Sequence, residues 1–483
     1  MKITPEKLDH VPTGLLIDGD WRPSAQGGTL PVIDPATEDV LTEVADATPA
    51  DVPAVLDASV SAFDTWSATA PRVRSEILRR TYESLIERAD DFALLITLEM
   101  GKPLAESRAE VTYAAEFVRW YAEEAVRLNG TYRIAPEGNA RQLTVKQPVG
   151  PCLLITPWNF PLAMVTRKVA PALAAGCSAI LKPAEQTPLT ALLFGQVLAD
   201  AGVPAGVVNI ITTSDPAPVV DALLADQRVR KLSFTGSTEV GRVLLASAAR
   251  NVQRTSMELG GNAPFLVFAD ADIDAAVDGA MLAKLRNGGE SCVAANRFLV
   301  HESVSDEFAA ALAKRMREQR LGAGTDAGTT VGPLIDAAAR SKVDDLVREA
   351  VDRGARVLTG GQAPNRAGFF YEPTVLTGVG ADARMLTTEI FGPVAPISTF
   401  TSEEEAITAA NATEFGLVAY AYTRDLDRAL RVADALRTGM VGLNRGVVSN
   451  AAAPFGGVKQ SGLGREGGEA GIQEYLDTKY IAL

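Results

Sequence analysis

Four short apolar runs, separated by helical stretches, constrain this chain more than any other feature. Leu153 to Thr156, Ala179 to Leu181, Val207 to Ile211 and Lys231 to Phe234 alternate with segments such as Thr187 to Ala201, which carries a helical pattern. Strands alternating with helices predict a parallel, doubly wound sheet. A second α/β stretch runs from Phe265 to about Leu443, with helices at Ser303 to Gln319 and Glu403 to Asn411. Nearer the start, Thr48-Pro49-Ala50-Asp51 reads as a helix start, with a capping threonine, a proline and a first-turn acid. More helix follows from Arg74 to about Leu128, broken near Gly101-Lys102-Pro103, and the glycine-rich segment Gly456 to Gly471 reads as a loop. At 483 residues the chain is too long for a single core.

Composition narrows the function by exclusion. A net charge of −14 leaves no basic surplus to neutralise phosphates, so a nucleic-acid partner is excluded. Three cysteines (Cys152, Cys177, Cys292) and two histidines support neither a disulfide framework nor a zinc site, and point to a reducing, cytoplasmic setting. Met1 to Trp21 has no apolar core for a secretory signal. No stretch is apolar for the ~18 residues a membrane span needs.

Chemistry concentrates at Cys292, which follows Arg286-Asn287-Gly288-Gly289-Glu290-Ser291. A lone thiol in a polar, glycine-rich stretch is a candidate nucleophile. With no histidine in a motif-like context, the carboxylate of Glu258-Leu259-Gly260-Gly261 is the candidate base. A buried structural thiol is the other reading, and it suits Cys152 and Cys177 better, since both sit among small or apolar neighbours. Asn159, in Pro157-Trp158-Asn159-Phe160-Pro161, could donate to a developing oxyanion, or simply bond its own turn. Gly236 and Ser237 open a helix after a strand, where free amides favour a phosphate; a plain capped turn reads equally well. Lys182 and Glu185 end another strand, where such groups can hold ribose hydroxyls or form a solvated turn. Glu389 and Phe391 lie in a second rigid loop. Gly462-Leu463-Gly464-Arg465-Glu466-Gly467 matches a dinucleotide fingerprint only in letters, because too little chain follows it for a βαβ unit.

Taken together, these stretches resemble the NAD(P)-dependent aldehyde dehydrogenase superfamily, from about Gly14 to Leu483. The resemblance implies Cys292 as nucleophile, Glu258 as general base and Asn159 as the oxyanion amide. It implies a cofactor, NAD with NADP possible, held by Thr156, Pro157, Trp158, Lys182, Glu185, Phe234, Gly236, Ser237, Gly241, Leu259, Glu389 and Phe391. It also implies thiolate attack on an aldehyde, hydride loss to the nicotinamide, and hydrolysis of the thioester by a water that Glu258 activates. The thiol pKa is expected to be lowered by surrounding amides and the cofactor's charge.

Within the superfamily, Ala170 to Cys177 and Pro454 to Gly467 are similar to the succinate-semialdehyde dehydrogenases. That implies a small aldehyde with a distal carboxylate, bound by Arg167, Arg286 and Ser449, with Phe455 beside them. A glutarate-semialdehyde or broader-specificity aldehyde dehydrogenase is the alternative, and a non-catalytic cofactor-binding relative is a remote one. Two departures stand out. Glu290 replaces a glutamine common in the family, and its charge is expected to raise the thiol pKa. Ala294 stands where some relatives carry a second cysteine, so no disulfide switch is expected there. The expected fold is two doubly wound α/β domains plus a small β oligomerisation element. The cofactor domain takes 1–126 and 148–257, with 443–467 returning to it, and the catalytic domain takes 258–442. Segments 127–147 and 468–483 form the oligomerisation element of a homodimer or homotetramer, where the alternating strand at Arg141 to Lys146 could add to a neighbour's sheet edge.

Overall fold

A computed structural model describes residues 10–483, so the part of the Met1 to Trp21 reading before His10 lies outside the described residues. The four apolar runs form the centre of an eight-stranded sheet. Cys152–Ile155 pairs in parallel with Ala179–Lys182 on one side and Lys231–Thr235 on the other, and Arg254–Glu258 continues the parallel order. These strands are buried along their length, which is why they read as continuous apolar runs rather than alternating ones. Antiparallel strands close both edges: Leu15–Ile17 with Asp20–Arg22 at one, Gly462–Leu463 at the other.

A second, seven-stranded sheet is centred on Ala263–Val267, Ala295–His301 and Val394–Phe400. It is parallel except at its edge strand Arg356–Thr359. The chain passes from the first sheet to the second through the short turn between Glu258 and Ala263. The crossing therefore lies at the carboxyl ends of the first sheet's parallel strands, the usual place for a site in open α/β sheets, and at the amino ends of the second sheet's.

Three expectations change. The helical region after Arg74 breaks at Gly101, whose left-handed φ of 97° stops a helix, but also at Arg88, giving Pro71–Glu87, Ala89–Met100 and Leu104–Glu124. Neither glycine nor proline marks the Arg88 break. The segment Gly456 to Gly471 is not simply a loop: it contains the edge strand Gly462–Leu463 and a short helix, Gly468–Gln473. Lastly, Arg141–Pro148 is the central strand of a three-stranded antiparallel sheet, paired on both sides by Thr131–Ile134 and Leu476–Ala482. Its hydrogen-bonding groups are taken up, and the unpaired edges belong to its two neighbours. No helix among the described residues is long and apolar enough to cross a membrane.

Candidate active site

Cys292 lies at the end of a short, tightly wound turn. Asn287, Gly288 and Gly289 have φ of 59°, 60° and 82°, so the chain reverses sharply before the thiol. A side chain on Gly289 would strike the Gly392 carbonyl, and one on Gly261 would strike the carbonyl of Cys292 itself. The two glycines let the nucleophile loop sit directly on the crossing between the sheets.

A cavity of about 280 Å³ opens over the thiol and is lined by Asn159, Arg167, Glu258, Arg286, Ser449 and Phe455, among others. The structure thus brings together the three residues expected to do chemistry and the four expected to hold substrate. Leu259, Glu389 and Phe391 also line it, with Phe391 edge-on to Trp158 at 5.4 Å. Pro157, Trp158, Gly236 and Ser237 line both this cavity and a neighbouring one of about 470 Å³. The second cavity also takes Thr156, Lys182, Glu185 and Phe234. Gly241 lines neither: a Cβ there would come within 2.5 Å of Leu259, so its smallness serves packing. The glycines Gly462, Gly464 and Gly467 line neither cavity.

The second cavity fits NAD(P). Ser237 caps the helix Thr238–Ala249 and accepts from Val240 N, and a side chain on Gly236 would collide with Phe234. The Gly236 amide donates to the Glu258 carbonyl at 3.1 Å, so the Ser237 and Thr238 amides are the ones that can face a phosphate. Gln186 Oε1 and Thr235 Oγ1 are buried at the cavity wall without partners, which suits a polar ligand. Lys182 Nζ lies 3.1 Å from Glu185.

Electrostatics depart from expectation at the thiol. Burial pushes Cys292 up to about 12; Arg167 opposes this, while Glu389 and Glu258 add to it. The expected lowering by nearby amides is outweighed by desolvation. Nor does Glu290 act on the thiol. Its side chain turns away from the cavity, and Oε1 accepts from Ile335 N at 3.0 Å. Burial holds the Glu290 carboxyl well above the usual range, so it carries little charge to repel a thiolate. Glu258 ends the strand Arg254–Glu258, is buried, and has no partner on either oxygen among the described residues. Burial, with help from Glu466, raises its pKa well above normal against Arg167 and Lys168. Burial likewise raises Glu389 to about 7, although Gly261 N donates to it at 3.0 Å.

The two arginines differ. Arg167 is buried and ion-paired to Glu466, which also pairs with Lys168. Its Nη2 is left without a partner, and its guanidinium lies 4.1 Å from the Phe455 ring. Arg286 makes no ion pair among the described residues; it reaches Ser449 Oγ at 3.4 Å and rests against the rings of Tyr113 and Phe160. Sequence reasoning missed Glu466, Tyr113 and Met164. The first lay inside the rejected glycine motif, and the others sit on helices with no chemical signature.

Comparison with known proteins agrees with this geometry. Residues 21–481 match the model of the aldehyde dehydrogenase family. A succinate-semialdehyde dehydrogenase of Paenarthrobacter nicotinovorans is 58% identical over 92% of this chain and 99% of its own. A glutarate-semialdehyde dehydrogenase of Pseudomonas putida is 48% identical over 97% of each chain. The crystal structure of an NADP-dependent enzyme of E. coli superposes with a TM-score of 0.97 at 47% identity, covering 100% of both chains.

Proposed function

The chain belongs to the aldehyde dehydrogenase family, and from that premise we propose that it oxidises an ω-carboxy aldehyde, succinate semialdehyde foremost, to the acid with NAD(P). One observation carries the substrate class: two guanidiniums and a hydroxyl, Arg167, Arg286 and Ser449, line the same cavity as the Cys292 thiol. Charge-assisted, forked hydrogen bonds to a carboxylate would hold the far end of the substrate and leave its aldehyde over the thiol.

The chain's residues divide the work. Cys292 Sγ attacks the carbonyl carbon, and Asn159 Nδ2 with the Cys292 backbone amide receives the charge on oxygen. Bound NAD(P) supplies the hydride acceptor. Glu258, unpartnered and buried, takes a proton from the water that cleaves the resulting acyl–Cys292 bond. Thr156, Lys182, Glu185, Gly236 and Ser237 would hold the adenosine and pyrophosphate side of the cofactor, with Glu389 and Phe391 at the nicotinamide side. Glu185 supports a preference for NAD, since a carboxylate accepts from a 2′-hydroxyl and repels a 2′-phosphate. Its ion pair with Lys182 softens that preference. We place the protein in the cytoplasm, in keeping with its three free cysteines, and assign it a homodimer or homotetramer.

Steady-state kinetics with succinate semialdehyde, glutarate semialdehyde and an uncharged aldehyde, each with NAD and NADP, test the reading. Succinate semialdehyde with NAD is expected to have the highest kcat/KM. Arg286→Ala is expected to remove the advantage over the uncharged aldehyde, by about 10-fold or more. Equal use of the uncharged aldehyde by the unaltered protein would overturn the substrate. The 48% identical glutarate-semialdehyde dehydrogenase favours glutarate semialdehyde as the second reading, and one methylene shifts discrimination by only ~1–3 kcal/mol.

A further inference from the structure

Asn159 is more firmly held than a turn residue needs to be. Its Nδ2 donates to the Glu290 carbonyl at 3.0 Å. The flipped amide would set oxygen against oxygen, so that bond fixes which way the side chain faces. One amide hydrogen is used, and the other remains for a ligand. The backbone carbonyl of Asn159 accepts two hydrogen bonds from outside its own turn: Lys102 Nζ at 2.8 Å and Asn287 Nδ2 at 2.9 Å.

Lys102 has no reason of its own to be here. It precedes the helix Leu104–Glu124, its side chain is 1% exposed, and the ammonium lies 4.1 Å from the Phe160 ring centre. Burying an ammonium is costly unless it is paired. The pair is Glu110, eight positions on and within that helix, also 1% exposed. The other oxygen of Glu110 accepts from Leu162 N and Ala163 N, at 3.0 and 3.2 Å, where the helix Ala163–Ala175 begins. The ammonium is therefore fixed from behind by a carboxylate that is itself fixed. Its next donor points at Asn159 and at nothing else among the described residues.

We propose that Lys102 is a positioning residue for the oxyanion amide: clamped by Glu110, it pins the Asn159 carbonyl and so sets the free Asn159 amide hydrogen against the carbonyl carbon's oxygen at Cys292. This rests on the proposed aldehyde oxidation. Lys102 does not touch the substrate and is not a catalytic residue.

The experiment compares the unaltered protein with Lys102→Met, Lys102→Met/Glu110→Gln, Asn159→Ala and Lys102→Met/Asn159→Ala. The Glu110→Gln pairing removes the stranded carboxylate, so that folding survives the loss of the cation. Two readouts are taken: steady-state NADH formation from succinate semialdehyde, and the rate of Cys292 alkylation by iodoacetamide, which builds no charge on a carbonyl oxygen. Loss of Lys102, in either background, is expected to lower kcat by about 10-fold or more through misplacement, with aldehyde KM and alkylation within about 3-fold. Removing Lys102 from Asn159→Ala is expected to cost little further, because the two act as one unit. Alkylation falling in step with kcat, full activity in Lys102→Met, or additive losses in the double variant would each overturn the positioning role. No NADH from any aldehyde with the unaltered protein would instead overturn the function on which it rests.

Discussion

At the scale of single residues, burial rather than neighbouring charge sets the protonation of this site. Desolvation pushes the Cys292 thiol up to about 12 and holds Glu258 well above the usual carboxylate range. The thiolate is the form a raised pKa disfavours, so its fraction grows about tenfold per pH unit below that value. Alkylation of Cys292 in the cofactor-free protein is accordingly expected to rise steadily from pH 7 to 10 without levelling (stopped sampling at fixed times would measure it). A plateau near neutrality would contradict the burial argument. Glu290→Gln is expected to leave that profile unmoved, because the carboxyl bonds Ile335 N and turns from the cavity. Arg167 and Arg286 call for different handling. Removing Arg167 takes one of two cations from the buried Glu466 and leaves it with Lys168, which disturbs a buried ion cluster, so only Arg286 reports cleanly on substrate.

At the scale of elements, the site depends on how closely two backbones approach. The turn from Glu258 to Ala263 carries the chain from one sheet to the other, and Gly261 meets the Cys292 carbonyl there with no room for a methyl group. Gly261→Ala must displace either the turn or the nucleophile loop. It is expected to lower kcat by about 100-fold, since a displacement on the order of 1 Å at reacting groups has that effect. Thermal unfolding should change far less, because both sheets are anchored elsewhere by buried strands. Wild-type kcat in the folded variant would show that the loop tolerates the shift.

At the scale of the whole molecule, the three-stranded sheet stands apart from the two that build the site. Among the described residues its outer strands Thr131–Ile134 and Leu476–Ala482 each leave one edge unpaired. Tyr132, Ile134 and Tyr480 are 59%, 63% and 57% exposed there. Unpaired edges with large apolar side chains attract a partner strand. Ile134→Lys is expected to shift the light-scattering mass from dimer or tetramer toward the single chain, with Cys292 alkylation retained. An unaltered protein already running as a single chain would remove the basis for an assembly.

Much of the architecture was legible because it is local. Fully buried parallel strands read as apolar runs, and helix starts such as Thr48 carry their own capping chemistry. The thiol, its glycine turn and Glu258 were legible for the same reason: the chemistry needs those residue types in rigid, adjacent settings. What lies far apart in the chain was not. Glu466 meets Arg167 across 299 positions, and no local pattern announces a carboxylate that will be buried beside two cations. Nor could composition tell that Glu290 faces Ile335 rather than Cys292, or that Arg141–Pro148 is a central strand. The sequence alone determined the parallel sheets and the identity of the reacting groups, through periodicity and backbone restriction. Only the tertiary structure decided protonation, the direction of each charged side chain and which edges stay open, because these follow from desolvation and long-range pairing.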